Sequence, residues 1–253
     1  MKIEVLPSAI ETGRSISDVL IEKMANHSDN LFHLAISGGT TPAILYNLWA
    51  DEYLNKIEWN RIALYWVDER CVPPSHPESN FGNAKTKFLD IISHKGALIH
   101  RIHGELPPVA EAKRYSSMVR KALNHKNGMP SFDMVILGIG TDGHTASIFP
   151  GQDALINTRH IYEVSVHPEN KRIRISMTAP VILNAENIVF HVTGKDKANV
   201  INSIVNDADS ALNYPAYYIV SKSGKLSMYL DEDAAHLLKS NDTPSFLENI
   251  FKQ

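Results

Sequence analysis

A carboxylate and an imidazole two residues apart, Asp142 and His144, lie in the stretch GIGTDGHTASIFPG at 138–151, flanked by glycines that bare the backbone around them. A nearby carboxylate fixes the tautomer of an imidazole and raises its basicity, which suits a general base acting on water. The stretch also spells a formal G-x-G-x-x-G through Gly138, Gly140 and Gly143, with Glu163 at the spacing of a dinucleotide fingerprint. That fingerprint needs an uninterrupted helix after its third glycine, and Pro150-Gly151 stops any helix almost at once. It also needs room for pyrophosphate, where Asp142 places a negative charge. The glycines are therefore read as opening a pocket to Asp142 and His144.

Three further stretches suit an anionic ligand. SGGTTP at 37–42 offers Ser37, Gly38, Gly39 and Thr40 at a strand-to-helix turn, where free N–H groups and the helix dipole favour a phosphate. No Walker sequence occurs, so a guest smaller than a nucleoside triphosphate is expected. In WVDER, at 66–70, Asp68 and Arg70 share one side of an extended chain and Glu69 faces the other. Cys71 beside them is expected to be inert. KRIRISMT at 171–178 puts Arg172 and Arg174 on one strand face, and TGKDKA at 193–198 places Lys195 and Lys197 at a helix start, where a cation opposes the dipole unless an anion sits between. Taken singly, each stretch has an ordinary structural use as a turn, a solvated triplet or a sheet edge. His100 and His103 lack a third ligand, no H-E-x-x-H or G-x-S-x-G occurs, and neither a metal nor a cofactor is expected.

The elements that must position these residues follow from periodicity. Apolar runs at 31–36, 61–67, 97–102, 132–140, 160–166, 172–177, 187–192, 216–220 and 226–230 read as strands. Helices are expected over 10–24, from Thr41 as N-cap with Pro42 in the first turn, over 80–92, 108–124, 179–184 and 195–206, and in the tail at 240–253. Near-continuous apolar strands alternating with helices predict an α/β fold with a mostly parallel sheet covered on both faces. In such sheets ligands sit outside the carboxyl ends of the strands, where 37–42, 68–80 and 138–151 fall. The 253 residues are 43% hydrophobic and 21% charged, without repeat or composition break, and are read as a single domain. A net charge of −3 gives no basic field for nucleic acid. No apolar run spans a membrane, the first residues do not form a signal peptide, and one cysteine excludes internal disulfides, so a cytoplasmic protein is expected. No heptad seam is present, which leaves the oligomeric state undetermined and a monomer the simplest expectation.

Taken in order, SGGTTP, WVDER…ESN, GIGTDGHTASIFPG, RISMT and TGKDKA resemble the 6-phosphogluconolactonase family, within the superfamily of glucosamine-6-phosphate deaminase and ribose-5-phosphate isomerase. The resemblance runs from about residue 30 to 230. It implies a three-layer αβα, Rossmann-like fold with a few added strands, and hydrolysis of 6-phospho-D-glucono-1,5-lactone, the second step of the oxidative pentose phosphate pathway. A deaminase/isomerase-like enzyme is the nearest rival, but its pattern carries a glutamate where Phe149 stands and a tyrosine where Arg70 stands. A non-catalytic sugar-phosphate sensor is the alternative of another class. The lactonase reading makes His144 the base and Asp142 its orienting partner. Gly38, Gly39, Thr40, Arg174 and Lys197 hold phosphate, Arg70 or loop amides steady the oxyanion, and Asp68 positions a hydroxyl or water. Arg174 is preferred to Arg172 on the RISMT match alone.

Overall fold

Short apolar strands flanked by helices build a parallel sheet in the computed structural model, which describes residues 1–238. The strands are β1 (Lys2–Leu6), β2 (Phe32–Ile36), β3 (Ile62–Trp66), β4 (Asp68–Arg70), β5 (Leu98–His100), β6 (His125–Lys126), β7 (Met129–Pro130), β8 (Met134–Leu137), β9 (Tyr162–Val166), β10 (Ile173–Met177), β11 (Ile188–Val192) and β12 (Leu226–Asp231). Seven of them form the main sheet in the order β1-β12-β11-β8-β2-β3-β5, with every neighbouring pair parallel. All residues of β3, β8 and β11 are buried, so helices cover the sheet on both sides. Helices Ala9–Ala25 and Thr40–Ala50 pack on one another, and both contact β11.

A second, antiparallel sheet of order β4-β10-β9 lies outside the main one. The runs at 160–166 and 172–177 were expected as strands, and they belong here. The arrangement matters for chemistry because the chain passes from β3 in the parallel sheet to β4 through the single residue Val67, whose carbonyl accepts from Met177 N at 2.7 Å. The end of a buried strand is thereby sewn to the antiparallel ribbon.

Some expectations change. The run at 216–220 is helix rather than strand, within Pro215–Lys222: its buried residues, Pro215, Ala216, Ile219 and Val220, repeat at helical spacing, and Pro215 occupies the first turn. The first residues, KIEVL, form edge strand β1. Asn127 and Gly128, both at positive φ, make the tight turn of the β6–β7 hairpin, an Asn-Gly signal the sequence reading passed over. The expected helix over 80–92 is helical throughout, though its middle turn, Lys85–Leu89, is wound as a π-helix. The tail helix expected at 240–253 lies outside the described residues. Among the described residues no helix is long and apolar enough to cross a membrane.

Candidate active site

The carboxyl ends of β2, β8 and β11 open onto a cavity of about 210 Å³. It is walled on the far side by the antiparallel ribbon. Of the ten residues singled out in the sequence, all but Asp142 line it.

The floor is the turn after β2. Gly39, at φ 118°, is the N-cap of helix Thr40–Ala50, and no side chain caps the helix. The N-cap thus falls two residues before Thr41, the expected one, because a glycine at positive φ makes the turn. Its first amides face the cavity mouth uncapped, as an anion requires. A Cβ on Gly38 would fall 1.8 Å from Asn80 Oδ1, so the close approach of these two loops demands glycine. Ser37 lines the cavity, but its hydroxyl donates to Ile136 O at 2.8 Å and joins β2 to β8. Its side chain is therefore structural.

The loop after β8 carries the candidate base. His144 Nδ1 lies 2.5 Å from Asp142 Oδ1, and His144 N donates to the same oxygen at 3.2 Å. With Nδ1 committed, Nε2 is the nitrogen left for chemistry. Burial opposes ionisation of Asp142, but the bonds and charge of His144 prevail and hold its carboxyl below the usual value. Asp142 itself stands behind the imidazole. The loop is pinned from within by Gly140 N to His144 O at 2.8 Å and by Thr145 Oγ1 to Gly138 O at 2.9 Å. From outside, Ala216 N donates to Gly143 O at 3.0 Å, and the Tyr214 ring covers Gly143 (φ 79°) so closely that a Cβ there would fall 2.3 Å from it. Ala146, which lines the cavity, sits at φ 51°, a strained value for a residue with a Cβ.

The far wall is cationic. Arg70 on β4 and Arg174 on β10 are paired directly across the antiparallel ribbon and both line the cavity. Arg70 Nη1 donates to Glu78 O at 2.7 Å. Burial, together with Arg70 and Arg172, lowers the pKa of Arg174 against the opposing pull of Asp68. Arg172 does not share the site: it pairs with the Glu78 carboxylate and lines a neighbouring groove, because it falls just before β10 begins. Lys197 reaches the cavity from the turn Lys195–Lys197, whereas Lys195 is exposed and does not. Gly194 N donates to both oxygens of Asp231 at 3.0 Å, which ties that turn to the end of β12.

The sequence reading separated Asp68 from Glu69, and the structure does the same. Asp68 faces the cavity, accepting from Asn80 Nδ2 at 3.2 Å and from Ser147 Oγ at 2.6 Å. Glu69 points the other way and accepts from Arg70 N, Asn80 N, Phe81 N and Ser79 Oγ, all within 3.1 Å. Burial raises its pKa while these backbone donors lower it. Glu69 therefore clips the proline loop at 71–80 against β4 and starts the helix that follows. Cys71 is half-buried, and burial pushes its thiol up to about 11, away from the reactive range.

Sequence reasoning missed several contributors. Ser147 and Asn80 hold Asp68, Tyr214 covers Gly143, and His191 on β11 lines the cavity from beneath. Thr12 Oγ1 lies 2.7 Å from Ala9 O, to which it donates, so at 2.9 Å it accepts from His191 Nε2–H. Burial holds the His191 imidazole down to about 3, against 6.5 for a free histidine. The unfolded chain therefore binds a proton that the folded one refuses. The full contribution is present above about pH 6.5 and is lost as pH falls toward 3, by up to about 1.4 kcal/mol per pH unit. Urea midpoints measured from pH 7 to 4 are expected to fall less steeply in His191→Gln than in the parent, and equal slopes would refute this.

A family model described as glucosamine-6-phosphate isomerases/6-phosphogluconolactonase matches residues 8–228. The chain belongs to this family. It is 39% identical to 6-phosphogluconolactonase of Haemophilus influenzae over 87% of this chain and 92% of that one, and 40% identical to the Aggregatibacter actinomycetemcomitans protein of the same name over 81% and 87%. Its fold superposes on the solved 6-phosphogluconolactonase of Trypanosoma brucei with a TM-score of 0.82 at 28% identity, covering 94% of this chain and 98% of that one. Within this glucosamine-6-phosphate isomerase/6-phosphogluconolactonase member, Phe149 is fully buried, with its ring 4.8 Å from that of His144 and 5.6 Å from the Arg174 guanidinium. An apolar ring thus backs the imidazole at the position where the sequence comparison looked for a second carboxylate.

Proposed function

We propose that this protein hydrolyses 6-phospho-D-glucono-1,5-lactone to 6-phospho-D-gluconate. The reading is carried by the Asp142–His144 pair at one wall of a small cavity whose other walls bring two guanidiniums, an ammonium and an uncapped helix start. Its relatives' names point the same way.

A lactone is an activated ester, so one positioned base suffices to make water a competent nucleophile. His144 Nε2 removes a proton as water attacks C1, while Asp142 holds the ring and favours the imidazolium that forms. Arg70 or the amides of the glycine loops receive the oxyanion. Collapse of the tetrahedral intermediate breaks the bond from C1 to the ring oxygen, which takes the proton back from His144. The 6-phosphate rests on Gly38, Gly39 and Thr40, with Arg174 and Lys197 as counter-ions, so the distant end of the substrate supplies orientation. Asp68 receives a sugar hydroxyl or positions the water. This chemistry belongs to carbohydrate metabolism in the cytoplasm and requires no second subunit, so a monomer suffices.

Fresh lactone incubated with the protein is expected to release acid faster than the spontaneous rate, while glucosamine 6-phosphate releases no ammonia. Acid release at the spontaneous rate, with tight binding of the sugar phosphate, would make the chain a sensor instead. Lys197→Ala removes a charged contact remote from C1 and is expected to raise KM about tenfold with a much smaller fall in kcat. Steady-state kinetics checks that division.

A further inference from the structure

Asp68 and Arg174 are opposite charges lining one wall, yet they do not form a close pair. Arg174 Nη1 lies 3.9 Å from Asp68 Oδ2, beyond hydrogen-bond reach. Both side chains are largely withdrawn from water, so a direct ion pair would be their natural resting state. Beside the gap lies the hydroxyl of Ser147, a residue with no exposed surface. It donates to Asp68 Oδ2 at 2.6 Å and accepts a long contact from Arg174 Nη1 at 3.5 Å.

Ser147 cannot yield its place. Its N–H donates to Ser176 Oγ at 3.0 Å and its carbonyl accepts from Ser165 Oγ at 2.5 Å, fixing its backbone to both β10 and β9. Asn80 Nδ2 holds the other Asp68 oxygen at 3.2 Å. The carboxylate is thus satisfied without the guanidinium, and the buried Arg174 Nε has no partner.

We propose that Ser147 is a positioning residue that competes for Asp68: by giving the carboxylate its hydroxyl proton, it keeps Arg174 from closing onto that carboxylate and leaves the guanidinium available to the substrate's phosphate. The inference rests on the reading that Arg174 holds phosphate, and the test separates the two. Inorganic phosphate serves as the probe, its affinity measured by calorimetry and by competition against the lactone. Arg174→Ala is expected to weaken phosphate binding at least tenfold, and if it does not, the assignment of Arg174 fails.

Given that loss, Ser147→Ala is expected to weaken phosphate binding about tenfold, and to raise KM more than it lowers kcat. The double variant Ser147→Ala/Asp68→Asn is expected to recover most of the affinity, because the carboxylate that captured Arg174 has lost its charge. A purely structural serine would show no such recovery. Asp68→Asn alone, with Ser147 in place, is expected to leave the affinity for inorganic phosphate within about twofold, since no close hydrogen bond joins Arg174 to Asp68 and the probe lacks the hydroxyl assigned to that carboxylate. That variant keeps the proposal open to refutation even if Ser147→Ala does not fold. Normal phosphate affinity in Ser147→Ala, loss without recovery in the double variant, or a tenfold gain in Asp68→Asn alone would each overturn it.

Discussion

His144→Ala is expected to reduce kcat for the phosphorylated lactone by about 10²–10⁴-fold, the usual contribution of one positioned general base. Its melting temperature should change little, because the imidazole stands at the cavity wall rather than in the core, with its side chain 30% exposed. KM should also change little, because the phosphate contacts assigned above involve other residues. The division matters more than the size. A fall in kcat at constant KM and constant stability marks a group used only in the transition state. Retention of kcat in His144→Ala, measured against the spontaneous rate, would remove the base from the mechanism.

Gly140→Ala is expected to lower kcat by about 10²-fold or more without removing any reacting group. A methyl built on Gly140 falls 2.1 Å from His144 Nδ1 and 2.5 Å from Asp142 Oδ1. Both atoms belong to side chains that can swing away, so the chain should fold and melt normally. The displacement nevertheless breaks the 2.5 Å contact and moves Nε2 off its line to the substrate. A misplacement of about 1 Å costs a catalytic group on the order of 10²-fold. Circular dichroism melts beside kinetics would check both halves. If Gly140→Ala kept most of its kcat, the fixed direction of the imidazole could not be essential.

The fold was legible wherever burial on two sides made a strand apolar throughout. β3, β8 and β11 are of this kind, and each lies within its expected range. The misreading at 216–220 has the same root. AYYIV is as apolar as a strand, and only the proline before it, together with burial at helical spacing, distinguishes the helix that forms. That error hid Tyr214, which leads into this helix and covers Gly143.

At the site, residues whose types carry the chemistry stood out, because charges and glycines at strand ends are unusual. Those that orient them did not. Ser147 and Asn80 lie inside two of the quoted stretches, yet they are small polar residues whose work depends on contacts 79 and 12 positions away along the chain. Local pattern cannot report such a partner. Arg172 and Arg174 looked alike for a similar reason: which one faces the cavity depends on where β10 begins and on Glu78, which occupies the other.

The cross-strand register of Arg70 and Arg174 carries a thermodynamic consequence. The ribbon sets two guanidiniums side by side whether or not anything lies between them, and neighbouring like charges disfavour the pairing that holds them. An anion that settles there relieves this repulsion and binds only the native chain. Ligand capture and resistance to unfolding are therefore linked, and the protein is most fragile when its substrate is scarce.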